Sequence, residues 1–172
     1  MEEKTKDVPE TPVEETEEVK EAENNFQAIF QKKDIEIELP ELVYDSSLID
    51  ENGDYEELGF KFNLGKTSIY HGGDGCPYNG LEESIRGCDV LIVPINGRDY
   101  YRTNILDIIG CFDSREAITL AKNTGAKLLI PTHFDLYDVN CVNPTCFVDE
   151  IQKINPKQAF HIFVPGEGYV YF

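Results

Sequence analysis

Two short apolar runs limit what this chain can fold into. They are Val90-Leu-Ile-Val-Pro94, preceded by Asp89, and Leu128-Leu-Ile-Pro131, preceded by Lys127. Runs of this length, bounded by turn-forming residues, read as buried strands. Between them stands a helix signal over residues 113–125. Asp113 is an N-cap with Glu116 three residues later, and Gly125 closes the segment. Strand, helix and strand in that order make a βαβ unit with a right-handed crossover. The chain is therefore expected to be α/β.

The flanking segments extend that unit. Asn143-Pro144 opens a second helix that runs to about Ile154, with Pro at the first helical position. Ala159 to Val164 and Gly168 to Phe172 read as closing strands around Pro165-Gly166. Upstream, Leu58 to Leu64 and Thr67 to Tyr70 read as strands around the Gly65-Lys66 turn. Asn52-Gly53 within Asp50 to Asp54 is a hairpin signal. Ile35, Ile37 and Leu39 alternate with glutamates as an edge strand that Pro40 ends. Residues 1–25 differ in kind, with ten acidic residues against three lysines and almost no large apolar side chains. Such a stretch cannot bury enough surface to offset its ordering entropy. Residues 1–33 are expected to be an acidic tail, disordered or loosely helical over Glu14 to Lys33, and residues 34–172 the folded domain.

Charge and composition narrow the function. The net charge of −18 over 172 residues argues against gripping a nucleic-acid backbone or an anionic membrane. No run of 18 apolar residues exists to span a bilayer, and MEEKTKDVPE has no basic or apolar leader region. Five cysteines, an odd number without framework spacing, read as reduced thiols in the cytosol. Three histidines, His71, His133 and His161, leave little for a multi-histidine metal site.

Two segments share one design. Thr67-Ser-Ile-Tyr-His-Gly-Gly-Asp74 is a strand running into a glycine turn with an aspartate. Leu128-Leu-Ile-Pro-Thr-His133 is a strand running into a histidine. Both polar residues fall just past the carboxyl end of a strand, where α/β sheets bind ligands. A carboxylate and an imidazole meeting there suit a divalent metal. Taken singly, Asp74 also reads as a turn residue and His133 as a structural one. His71 and His161 read as neutral core or edge residues. The segment Asn96-Gly-Arg-Asp-Tyr-Tyr-Arg102 follows the strand ending at Pro94. Arg98, Tyr100 and Arg102 in it suit a phosphate or carboxylate, or an ordinary surface loop with Arg–Asp pairing. Cys76 gives a rival constellation, a thiol nucleophile with His133 as base and Asp135 behind it. Cys141 and Cys146 have no second pair for a structural zinc site.

Taken jointly, His71-Gly-Gly-Asp74, Pro77-Tyr-Asn-Gly-Leu81, Val93-Pro-Ile-Asn-Gly-Arg98, Arg115-Glu-Ala117, Ile130-Pro-Thr-His133 and the Pro165-Gly-Glu167 turn resemble the metallo-β-lactamase superfamily. The resemblance is to its L-ascorbate-6-phosphate lactonase-like branch and covers about residues 50–172. It implies a four-layer αββα sandwich of two similar halves with a metal pair between the sheets. It implies a divalent metal, Zn or Mn, with Asp74 as the bridging carboxylate and His133 as the last ligand of the second metal. The activity implied is metal-assisted hydrolysis of a lactone or ester, with the Arg98–Arg102 loop contacting an anionic, possibly phosphorylated, sugar-like substrate.

The family's H-x-H-x-D-H signature is absent, and no histidine precedes His71. The expectation is the second half of the sandwich, a mixed sheet with helices on its outer face. Such a chain is incomplete or inactive alone, its partners being a small anionic metabolite and either a separate N-terminal half or further copies of itself. A non-catalytic binding or assembly module derived from the fold is the other reading, and a Cys76 thiol enzyme ranks last.

Overall fold

A computed structural model describes residues 41–44, 58–108 and 110–171. The expected tail, the strand at residues 35–39 and the hairpin at residues 50–54 lie outside the described residues. Six strands form one sheet in the order of the chain: β1 (Glu41–Tyr44), β2 (Leu58–Leu64), β3 (Thr67–His71), β4 (Val90–Pro94), β5 (Leu128–Thr132) and β6 (Ala159–Phe160). β1, β2 and β3 pair antiparallel, while β3, β4, β5 and β6 pair parallel. The sheet is therefore mixed. Among the described residues the helices are α1 (Leu81–Ser84), α2 (Tyr100–Ile105), α3 (Ser114–Thr124) and α4 (Pro144–Ile154).

Helix α3 forms because its ends are chemically closed. Asp113 accepts the Glu116 N–H while the Glu116 carboxylate accepts the Asp113 N–H, a reciprocal capping box. Gly125 ends the helix at φ +79°. In α4, Pro144 stands at the start and Asn143 caps the Thr145 N–H at 3.0 Å. The pleat sends alternate strand residues to opposite faces. Tyr70, Leu91, Val93 and Leu129 join Ala117, Ile118, Phe147 and Ile151 in the main core. Phe147 and Ile151 of α4 are fully buried, each contributing about 2 kcal/mol of transfer free energy. Val90, Leu128 and Ile130 point the other way, packed by Ile69, Ile92, Phe163 and Tyr171.

Asp89 ties the amino ends of three strands together. Its carboxylate accepts the Ser68 N–H at 2.8 Å and pairs with Lys127 at 2.7 Å. Its carbonyl accepts the N–H groups of Lys127 and Leu128. With the amino ends held in register, the carboxyl ends of β3, β4 and β5 emerge side by side.

The structure corrects the expected closing strands. β6 has two residues, and residues 168–171 form no strand. The chain leaves the ladder after His161, whose N–H donates to the Leu129 carbonyl. His161 then meets Phe163 edge-on and Tyr169 at a tilt, and Glu167 takes both the Val164 N–H and the His161 ring. In that cluster the Glu167 carboxylate takes one backbone N–H, that of Val164, where a ladder was expected. The 96–102 segment is also more than a loop, since α2 begins at Tyr100 with Asp99 as its N-cap.

Candidate functional site

Asp74 reaches the sheet edge through a glycine turn. Gly72 donates to the Ile92 carbonyl at 2.9 Å, keeping the chain against β4 for one residue beyond β3. Gly73 then adopts φ +55°, and a Cβ there would stand 3.0 Å from the Leu58 carbonyl, so glycine is required. His133 follows β5 directly and adopts φ +58°, the left-handed region that is uncommon for residues with a Cβ. The two turns bring Asp74 Oδ1 within 3.2 Å of His133 Nδ1. The Asp74 side chain is 77% exposed and that of His133 30%.

A cavity of about 280 Å³ opens beside this pair, lined by Asp74, Asn96, Cys111, His133, Leu136, Tyr137 and Asn140. On the other flank of His133, a shallower depression runs from Ile130–Asp135 to Phe163–Glu167. His71 is not on either lining, but it feels the site. Burial lowers its pKa first, the nearby His133 lowers it further, and Asp74 opposes both. Its Nδ1 accepts the Gly73 N–H at 3.1 Å, so the neutral ring carries its proton on Nε2.

The residues expected to contact substrate hold the framework together. Arg98 donates to the Cys111 carbonyl at 2.6 Å and pairs with Glu116. Arg102 pairs with Asp99 and donates to the Asn96 carbonyl at 2.9 Å and Asn140 Oδ1 at 2.7 Å. Tyr100 is 77% exposed. Cys76 donates its thiol hydrogen to the Gly110 carbonyl at 2.9 Å. Sequence reasoning missed Asn140. It sits in a short 3-10 turn, Asp138–Asn140, that bears no motif, and its partner Asn96 is 44 residues away.

A mixed sheet with helices packed on one face, and a carboxylate and an imidazole meeting past the ends of β3 and β5, defines an α/β protein whose ligand edge is built for polar chemistry. A model of the beta-lactamase superfamily domain matches residues 4–134. The chain belongs to this superfamily, that of the metallo-β-lactamases. It is 25% identical over 139 residues to a UPF0173 metal-dependent hydrolase of Desulforamulus reducens, covering 77% of this chain and 56% of that protein. To a UPF0173 metal-dependent hydrolase of Methanoculleus marisnigri it is 28% identical over 114 residues, covering 64% and 45%. The chain thus spans about half the length of these relatives.

Among solved structures, Igni18, a metallo hydrolase from the hyperthermophilic archaeon Ignicoccus hospitalis, superposes with TM-score 0.56 at 14% identity, over 83% of this chain and 64% of that one. An isothiocyanate hydrolase from Delia radicum gut bacteria gives TM-score 0.55 at 13% identity, over 66% and 43%. These likenesses show the fold.

The superfamily of metal-dependent hydrolases implies a divalent metal. Asp74 and His133 are donors of the right kind for one. Among the described residues, however, no group of three His, Cys, Asp or Glu is placed to hold a metal ion. Two donors fall short of the three or four protein ligands such centres use.

Proposed function

We propose that this chain is the portion of a metal-dependent hydrolase that carries Asp74 and His133, and that it works on a lactone or ester-like bond in a small substrate. The observation that carries this reading is the 3.2 Å approach of Asp74 to His133 at the mouth of a 280 Å³ cavity, inside a superfamily of metal hydrolases. A bound divalent ion would supply a water deprotonated near neutral pH. The remaining donors come from outside the described residues, from a separate first-half chain or from a second copy. In this reading the Arg98–Arg102 segment stands behind the wall against which substrate lies, with Arg102 holding the lining residues Asn96 and Asn140. Its guanidiniums shape that wall through Glu116, Asp99 and Asn140.

Calorimetric titration of the purified chain with Zn²⁺ and with Mn²⁺ tests the proposal. Weak binding is expected, abolished by Asp74→Ala and by His133→Ala. Unchanged affinity in both variants would remove the assignment, and two tightly held ions per chain would overturn the incompleteness. The second reading, a binding module without catalysis, is favoured by the lack of a third described donor. It predicts ligand binding in the cavity with no turnover at any metal concentration, even when a first-half chain that carries the missing donors is added.

A further inference from the structure

The loop between β5 and α4 presents large apolar side chains to solvent beside the cavity. Leu136 is 66% exposed, Tyr137 62% and Val139 61%, three of four consecutive positions. Exposed apolar residues scattered singly are ordinary, whereas a cluster marks a contact surface. Leu136 and Tyr137 also line the cavity that holds Asp74 and His133, so a ligand in the cavity can reach them.

The loop is pinned at three places. The Val142 N–H donates to the Phe134 carbonyl at 2.9 Å and closes its base. The Asn140 N–H donates to the Tyr137 carbonyl at 2.9 Å and closes its tip. Asn140 Oδ1 accepts from Arg102 at 2.7 Å and from Asn96 at 3.1 Å, which ties the loop to the segment after β4. An apolar surface held in this way loses little entropy when a ligand covers it.

Charge decides what kind of ligand fits. Among the described residues, no lysine or arginine lines the cavity. Arg98 is turned to Glu116 and the Cys111 carbonyl, and Arg102 to Asp99 and the Asn96 carbonyl. The loop itself carries Asp135 and Asp138, both exposed. A carboxylate or phosphate group would therefore meet no cation on this wall and would be repelled by its surroundings. A divalent ion at Asp74 and His133 would act on the bond that is hydrolysed and adds no cation to the loop.

We infer that Leu136 and Tyr137 receive an uncharged apolar substituent of the substrate, an alkyl or aryl group attached next to the lactone or ester bond. The inference rests on the hydrolase reading of the cavity and narrows its substrate class, away from phosphorylated and carboxylate-bearing compounds.

NMR titration of the full chain without metal tests this, followed through the Leu136 methyl and Tyr137 ring signals. The probes are γ-butyrolactone and γ-octalactone, with the non-hydrolysable ketones cyclopentanone, 2-butylcyclopentanone and 3-(2-oxocyclopentyl)propanoate. In both neutral pairs the butyl compound is expected to bind roughly tenfold more tightly, as for a butyl group about half covered. The propanoate is expected to bind no better than cyclopentanone. Leu136→Ser and Tyr137→Ser, at exposed positions outside the core, are each expected to cut the butyl gain to about threefold. Val170→Ser, which removes a similarly exposed apolar side chain away from the cavity, is expected to keep it. Absence of the gain in the wild type, its full survival in either cavity variant, or its loss in Val170→Ser would overturn the inference. Binding of the propanoate as tight as that of the butyl ketone would overturn it too. The calorimetric metal titration reads the hydrolase assignment separately. Metal affinity untouched by Asp74→Ala and His133→Ala, together with a full butyl gain, removes that assignment and leaves the inference standing. Metal affinity lost in both variants, with no butyl gain, does the reverse.

Discussion

His133 occupies a backbone conformation that its side chain does not favour. At φ +58° a residue with a Cβ crowds its own carbonyl, a cost of about 1–2 kcal/mol that only Gly, and to a lesser degree Asn and Asp, largely escape. The imidazole reaches Asp74 because of this turn, so backbone strain and the site are one feature. His133→Asn is expected to leave urea stability nearly unchanged while removing metal affinity. His133→Val, β-branched at the same φ, is expected to lose a further 1–2 kcal/mol, roughly. Equal stability of the two variants would show that the turn relaxes. Gly110 shows the complementary constraint. A Cβ there would stand 2.1 Å from the Gly97 carbonyl, so this contact between the segment after α2 and the segment after β4 admits only glycine. The apposition brings Cys111 and Asn96 onto one cavity lining.

At the scale of elements, the Asp89 clamp makes the most direct prediction. The Lys127 ammonium, then the Ser68 N–H, hold the Asp89 carboxyl below the usual carboxylate range. A carboxyl depressed in the folded state stabilises the protein above its unfolded pKa, near 4. That contribution is lost as pH falls through the lower folded value. Asp89→Asn, which keeps an amide oxygen for the Ser68 N–H but loses the charge that faces Lys127, is expected to cost about 1 kcal/mol at pH 7. The gap between wild type and variant should narrow below about pH 4. Urea midpoints measured from pH 7 to pH 3 check this, and a gap of constant size would contradict it. β4, β5, α3 and α4 were legible in the sequence because each has an apolar run or a paired cap signal. The four-residue α1 and six-residue α2 are too short for any periodicity to show. Asp74 and His133 were legible as candidates from their places after strands. The Arg102–Asn140–Asn96 chain was not, because it depends on a fold-distant contact that no local pattern encodes.

At the scale of the whole molecule, two opposing terms govern association. The described part of the sheet covers its two faces unequally. The helix side buries a continuous core, whereas the far side buries only Val90, Leu128 and Ile130 and leaves Phe60, Phe62, Ile69 and Ile92 half-buried. Apolar area of that kind favours contact with a second surface. The net charge of −18 opposes contact between identical chains. Salt separates the two terms, because it screens exposed charges while leaving apolar burial intact. Sedimentation velocity should therefore show a coefficient that rises with protein concentration, and rises more steeply in roughly 0.3 M NaCl than in roughly 0.02 M. Phe62→Glu, adding charge to that face, should flatten the rise at both salts. A coefficient independent of concentration under both conditions would mean that this face needs no partner. Coverage would then come from the chain itself, and the missing metal donors would have to be sought there too.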